Sequence, residues 1–265
     1  MLNHQNNLYT EQTEQTEQTG QNQIIQQILG ETEQEMLLNC FEDKKERSKF
    51  IKKTFGLFMF SIFTTLGSCL SFKYIEGSKS FISSELGKII TIVAIVSTII
   101  TVFISICCNI LLKQAYIKYV IYILFTFGVS WSIGMYGIIV ESDLLISAII
   151  ITTGTTTTLS LYAVTTETDF TTRTEYYIVS MIVIILTFTI NMFLFNSTLQ
   201  LLIIFFGCLL FSFMIVYDIQ MIIAQKHIKH KFSTNDYVLA AMSLYIDNVN
   251  LFIYVIDCLL LTDNN

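Results

Sequence analysis

The sequence contains no proline, and only 14% of its 265 residues are charged. Without proline, the usual source of kinks in membrane helices is missing, so any break must come from Gly or from Ser/Thr. So little charge, gathered between apolar runs, excludes an ordinary soluble domain. The six cysteines (Cys40, Cys69, Cys107, Cys108, Cys208 and Cys258) form no Cys-x-x-Cys pair. Five of them fall in apolar runs and read as small packing residues. Cys40, close before the first run, is a candidate for palmitoylation. The first residues show neither a positive n-region nor an apolar core, so no signal peptide is expected. Period-two alternation is also missing, which excludes a β-barrel.

What is present is apolar sequence: 53% of residues are hydrophobic, with a mean hydropathy of +0.61. It falls into seven segments near 50–72, 88–112, 117–140, 144–164, 176–195, 199–224 and 237–261. Each approaches the roughly 20 residues that a membrane-crossing helix requires. The expected fold is an all-α membrane protein, a bundle of seven transmembrane helices joined by short loops.

Thr10 to Thr19 repeats Thr-Glu-Gln three times, and residues 1–40 offer no core to bury, so they are expected to be a disordered cytosolic tail ahead of a transmembrane domain at 41–265. Within the tail, Glu33 to Leu38 resembles an acidic dileucine sorting signal. Six cations follow it: Lys44, Lys45, Arg47, Lys49, Lys52 and Lys53. With the N-terminus inside, inner segments hold twelve Lys and Arg and outer ones hold three, namely Lys73, Lys79 and Lys88. The positive-inside rule then puts the N-terminus in the cytosol and the C-terminus outside or in a lumen. A basic run can also bind nucleic acid, but its position against a membrane span argues for no nucleic-acid partner.

The last segment carries Ser243, Asp247, Asn250, Tyr254 and Asp257, which advance by 4, 3, 4 and 3 residues. All five share one helical stripe. A mid-membrane carboxylate costs roughly 2.5–3.5 kcal/mol even on lenient scales, so this helix belongs inside the bundle. The preceding segment contributes one acid, Asp218. Counted from the inner boundary, Asp218 lies roughly 9 Å deep and Asp247 about 15 Å deep. Two buried carboxylates close together cannot both ionise cheaply, and such a pair shares a proton over some pH range. It can serve as a pH sensor, a cation relay or a pair of proteolytic acids. Its bland alternative is two acids separately satisfied by hydroxyls or lysine.

Seven hydroxyls between Thr152 and Ser160 can line a wet path or bond back to carbonyls one turn earlier, the commoner case. Gly128, Gly134 and Gly137 suit close helix packing. His227 and His230, among three lysines, read as a solvated loop rather than a metal site.

Four motifs carry a family resemblance. They are Thr168-Asp169-Phe170-Thr171, Tyr217-Asp218-Ile219-Gln220, Asp236 to Ala241, and Leu244-Tyr245-Ile246-Asp247-Asn248-Val249-Asn250-Leu251-Phe252. In this order, in seven spans, they resemble the Bax-inhibitor/lifeguard family, the transmembrane Bax-inhibitor-motif proteins, and its lifeguard branch in particular. The resemblance covers roughly residue 50 onward. It implies a seventh helix at the centre and residence in endomembranes (endoplasmic reticulum, Golgi or endolysosomal). It also implies calcium leak, pH sensitivity and restraint of stress-induced cell death, with cell-death regulatory membrane proteins as possible partners. The family's acidic pair matches Asp218 and Asp247. Two positions depart from the pattern. Glu167 stands where a basic residue is common, and the second segment lacks the arginine that latches the acidic pair in some relatives.

The expected function is therefore a pH-sensitive calcium-leak protein, not an enzyme, with calcium as permeant ion and no cofactor. Asp218 and Asp247 would hold the metal, and Ser243, Asn250, Tyr254 and Asp257 would line the path. The alternative is a non-conducting scaffold that presents its tail to partners. An intramembrane aspartyl protease is a remote third reading, since the Gly-x-Gly-Asp pattern is missing and a Pro-Ala-Leu motif is impossible. A seven-span receptor would have the opposite orientation.

Overall fold

Lipid offers no hydrogen-bond partners, so a spanning segment must satisfy its backbone internally, and without proline these runs do so as long helices. A computed structural model describes residues 44–107, 114, 116–223, 232, 233 and 235–263. The expected tail 1–40, with Cys40 and the Leu37-Leu38 signal, lies outside the described residues, as do Cys108, Lys113, His227 and His230. Seven helices are long and apolar enough to cross a membrane, making this an integral multi-pass membrane protein. They are α1 Lys44–Tyr74, α2 Glu85–Cys107, α3 Ile117–Gly134, α4 Ser142–Thr165, α5 Thr174–Leu194, α6 Ser197–Ile223 and α7 Tyr237–Asp263. No strand occurs among the described residues. The chain divides into two units, Met1–Lys49 and Phe50–Asn265. In the first, Lys49 pairs with Glu46 at 2.7 Å.

Helix breaks follow the proline-free composition. α3 stops at Gly134 and resumes one residue later as the one-turn helix Tyr136–Ile139.

α7 is the core of the bundle. Thirteen of its residues are buried. It packs on α6, α4 and α3, and Tyr245 reaches Thr65 of α1. α5 is its opposite, with no buried residue. Between apolar helices in lipid there is little hydrophobic drive, so association depends on close packing and polar contacts. Gly128 of α3 shows the closeness: a Cβ there would lie 2.2 Å from Thr98 Oγ1 and 2.6 Å from the Ala94 carbonyl of α2. Gly134 and Gly137 press against α1 in the same way, at Ser68 and at the Cys69 carbonyl.

Candidate functional site

α6 places Asp218 near its C-terminal end, and α7 places Asp247 in its first half. The two meet. Their carboxyls hydrogen bond to each other, and Ser243 hydrogen bonds to Asp218. Both acids are buried, at 1% and 4% exposure. An ionised carboxylate only accepts hydrogen bonds, so a carboxyl–carboxyl bond must contain a proton. The remaining oxygens, Oδ2 of each acid, are buried without a hydrogen-bond partner. Neither acid has an ion-pair partner among the described residues, and Lys88, the one basic residue of α2, pairs with Glu85 at 2.9 Å. Two unpaired anions would each carry a burial penalty of several kcal/mol. The shared proton removes one of those charges.

The α7 stripe faces α6 but divides into two places. Ser243 joins the dyad. Asn250 donates Nδ2 to the Ile246 carbonyl of its own helix at 2.9 Å. Tyr254 stacks on Phe211, with ring centres 5.8 Å apart, and backs onto Gly207. Asp257 lines a separate cavity of about 250 Å³ with Asn191, Gln200 and Tyr254. The packed Tyr254 stands between the dyad and this cavity.

On α4, back-bonding holds for Thr157, Thr158 and Ser160, which donate to carbonyls four residues earlier at 2.8, 2.9 and 2.6 Å. Thr156 is different: its hydroxyl accepts Asn248 Nδ2 at 2.6 Å. Thr152 lines a small cavity with Thr65, Thr153 and Asn248, and its buried hydroxyl has no partner.

Two arrangements escape sequence reasoning. The first joins two motifs. Gln220, buried two residues beyond Asp218, accepts the Phe170 N–H at 2.9 Å and donates to the Thr168 carbonyl at 2.7 Å. Asp169 closes the same turn by accepting the Thr171 N–H and hydroxyl at 2.9 and 2.6 Å. The second is a buried hydroxyl network. Tyr122 contacts Ser61 and Tyr245 contacts Thr65, each at 2.5 Å; Ser130 lies 3.0 Å from Thr65. Its signal was present as four-residue spacings, Ser61 with Thr65 and Thr126 with Ser130, each of which puts two hydroxyls on one helix face.

Chemically, the dyad can hold a proton or contribute oxygens to a hard cation. Calcium takes roughly six to eight oxygen ligands. Two carboxylates and one serine supply fewer, and no group of three or more His, Cys, Asp or Glu side chains capable of holding a metal occurs among the described residues.

A central seventh helix, a buried diacid between the last two helices and a clamped Asp-Phe-Thr turn define a membrane protein of the Bax-inhibitor class. The chain belongs to the family described as "Inhibitor of apoptosis-promoting Bax1", whose model matches residues 47–264. It is similar to human Protein lifeguard 3, with 24% identity over 85% of this chain and 72% of that protein. It is also similar to the Golgi anti-apoptotic protein of vaccinia virus strain Lister, with 25% identity over 80% and 85% of the two chains. Mouse Protein lifeguard 4 is 25% identical over 79% of this chain and 84% of its own length.

Proposed function

We propose that this protein is a pH-sensitive calcium leak of endomembranes that restrains stress-induced cell death. The observation that carries the reading is the Asp218–Asp247 contact: two buried carboxyls on adjoining helices, bonded to each other, with an unpartnered oxygen on each. At acidic pH the shared proton bridges α6 and α7 and closes the path. As pH rises the proton is lost. Two anions then repel, loosen the α6–α7 contact and offer oxygens to a passing calcium ion. The role is non-enzymatic and needs no cofactor. Restraint of cell death is supported by family membership and by the name of the viral relative, which also points to the Golgi.

The test is calcium flux through the purified protein in liposomes at several pH values. Flux is expected to rise with pH. Flux no greater than in empty liposomes at every pH would sink the leak reading and favour a scaffold.

A further inference from the structure

Two lysines from different helices converge on one ring where α3 and α7 begin. Tyr237, the first residue of α7, is buried. Lys118 Nζ lies 4.2 Å from the centre of its ring and Lys53 Nζ of α1 lies 4.9 Å from it. Lys118 also lies over Tyr119, at 5.7 Å, and the two tyrosine hydroxyls share a hydrogen bond of 2.7 Å. Both ammonium groups are thus within roughly 10 Å of each other, about one Debye length at 0.1 M salt.

Like charges brought this close repel. The tyrosine face attracts each ammonium but carries no net charge to cancel them. A carboxylate would, yet the ion pairs among the described residues are Lys49–Glu46 and Lys88–Glu85. Asp236, the adjacent acid in the chain, pairs with neither lysine; its backbone serves the turn and the first helical hydrogen bond of α7. The N-terminus of α7 adds further positive potential. Among the described residues, then, no carboxylate pairs with either lysine of the cluster.

Its position says what kind of anion. Lys118 and Tyr237 sit at the starts of membrane-crossing helices, and Lys53 closes the basic stretch Lys44–Lys53 that opens α1; tyrosine and lysine in such places mark the interface with the headgroups. Beside them Tyr119, Val120 and Ile123 of α3 are exposed, at 42%, 56% and 58%, on a surface made for acyl chains. A ligand with a phosphate at one end and hydrocarbon at the other fits both halves. We propose that Lys53 and Lys118, held over Tyr237, bind the phosphate headgroup of an anionic phospholipid. This site is separate from the acidic dyad. It ties α1, α3 and α7 together at the end of α7 from which Asp247 is ten residues away.

The test uses the full-length protein in phosphatidylcholine nanodiscs with and without a small fraction of a phosphatidylinositol phosphate, with bound lipid counted by native mass spectrometry. Wild type should retain the anionic lipid. Lys53→Gln with Lys118→Gln should weaken retention by roughly thirtyfold, since each lysine near an anionic headgroup is worth about 1 kcal/mol. Tyr237→Phe keeps the ring and should keep the lipid. Lys52→Gln, an exposed neighbour outside the cluster, should have little effect. If the double variant fails to assemble, each single variant is expected to lose roughly fivefold, and Lys→Arg at both positions should retain binding. Unchanged retention in the glutamine variants, or a loss in Lys52→Gln equal to that in Lys53→Gln, would overturn the site in favour of general surface charge. Competition by inorganic phosphate as effective as that by the lipid would overturn the assignment to a phospholipid.

Discussion

Tyr245 on α7 and Thr65 on α1, 180 residues apart in the chain, share a buried hydrogen bond of 2.5 Å. Ser130 of α3 closes the group, 3.3 Å from the same phenol. One hydroxyl thereby joins the first, third and last spans. Tyr245→Phe should lower stability by about 1–2 kcal/mol, the cost of leaving buried hydroxyls short of a partner. Thr65→Val should cost a similar amount, and the double variant less than the sum of the two. Thermal unfolding in detergent measures all three; strict additivity would show that the contact contributes nothing.

The dyad makes a sharper demand. Asp218→Asn and Asp247→Asn each remove the shared proton without removing the side chain's bulk. Each should flatten the rise of calcium flux with pH, and the double variant should resemble the singles because the two acids titrate as a unit. Wild-type pH profiles in both single variants would return the two acids to a structural role.

Gly207 sets the spacing of α6 against α7. A Cβ there would lie 2.6 Å from the Tyr254 ring. Gly207→Val should therefore destabilise by about 1–3 kcal/mol through overpacking. Removing the ring with Tyr254→Ala in the same chain should recover part of that loss. Unfolding temperatures of the single and double variants decide it, and absence of any recovery would mean that another contact sets the spacing.

Topology is open to a direct check. The distribution of basic residues puts a tag at the N-terminus in the cytosol and one after Asn265 on the other side. Protease protection of tagged protein in sealed membranes should show the two ends on opposite faces. Finding both on one face would remove α7 as a full span and, with it, the depth argument for the dyad.

Much of this architecture was legible because lipid is a demanding solvent. It requires long apolar runs and expels carboxylates, so the seven spans and the burial of Asp247 could be read directly, while Ser243, Asn250, Tyr254 and Asp257 of the same stripe are only half-buried. Orientation and depth put Asp218 and Asp247 at similar heights, and the packing of α6 on α7 brings their carboxyls into contact. Gln220 could not be read this way. Its partners are backbone groups of Thr168 and Phe170, about fifty residues earlier, and backbone partners leave no trace in side-chain identity. The hydroxyl network was hidden for a related reason. Serine and threonine in membrane helices bond back to their own carbonyls by default, as Thr157, Thr158 and Ser160 of α4 do, so Thr156 and Thr65 looked like their neighbours. The stripe on α7 predicted a shared face but not that Tyr254 would pack against Gly207 and divide it.

α5 has a further consequence. It is tethered near its start, where Thr174 meets the Tyr217 hydroxyl at 3.3 Å and Tyr177 meets the Tyr217 ring at 5.4 Å. Along the rest of its 21 residues nothing is buried. It rests on α6 through one half-buried face, Thr174, Tyr177, Ile184, Thr187 and Asn191, and the rest of its surface is exposed. Exchanges among Val, Ile, Leu and Phe at the exposed positions Val179, Val183, Leu186 and Ile190 leave the protein's own packing untouched, so on that face membrane thickness, rather than neighbouring side chains, sets what this helix must be. At about 31 Å of helix, α5 is the part of the molecule that would tilt first in a thinner bilayer, which makes it the protein's gauge of the membrane that surrounds it.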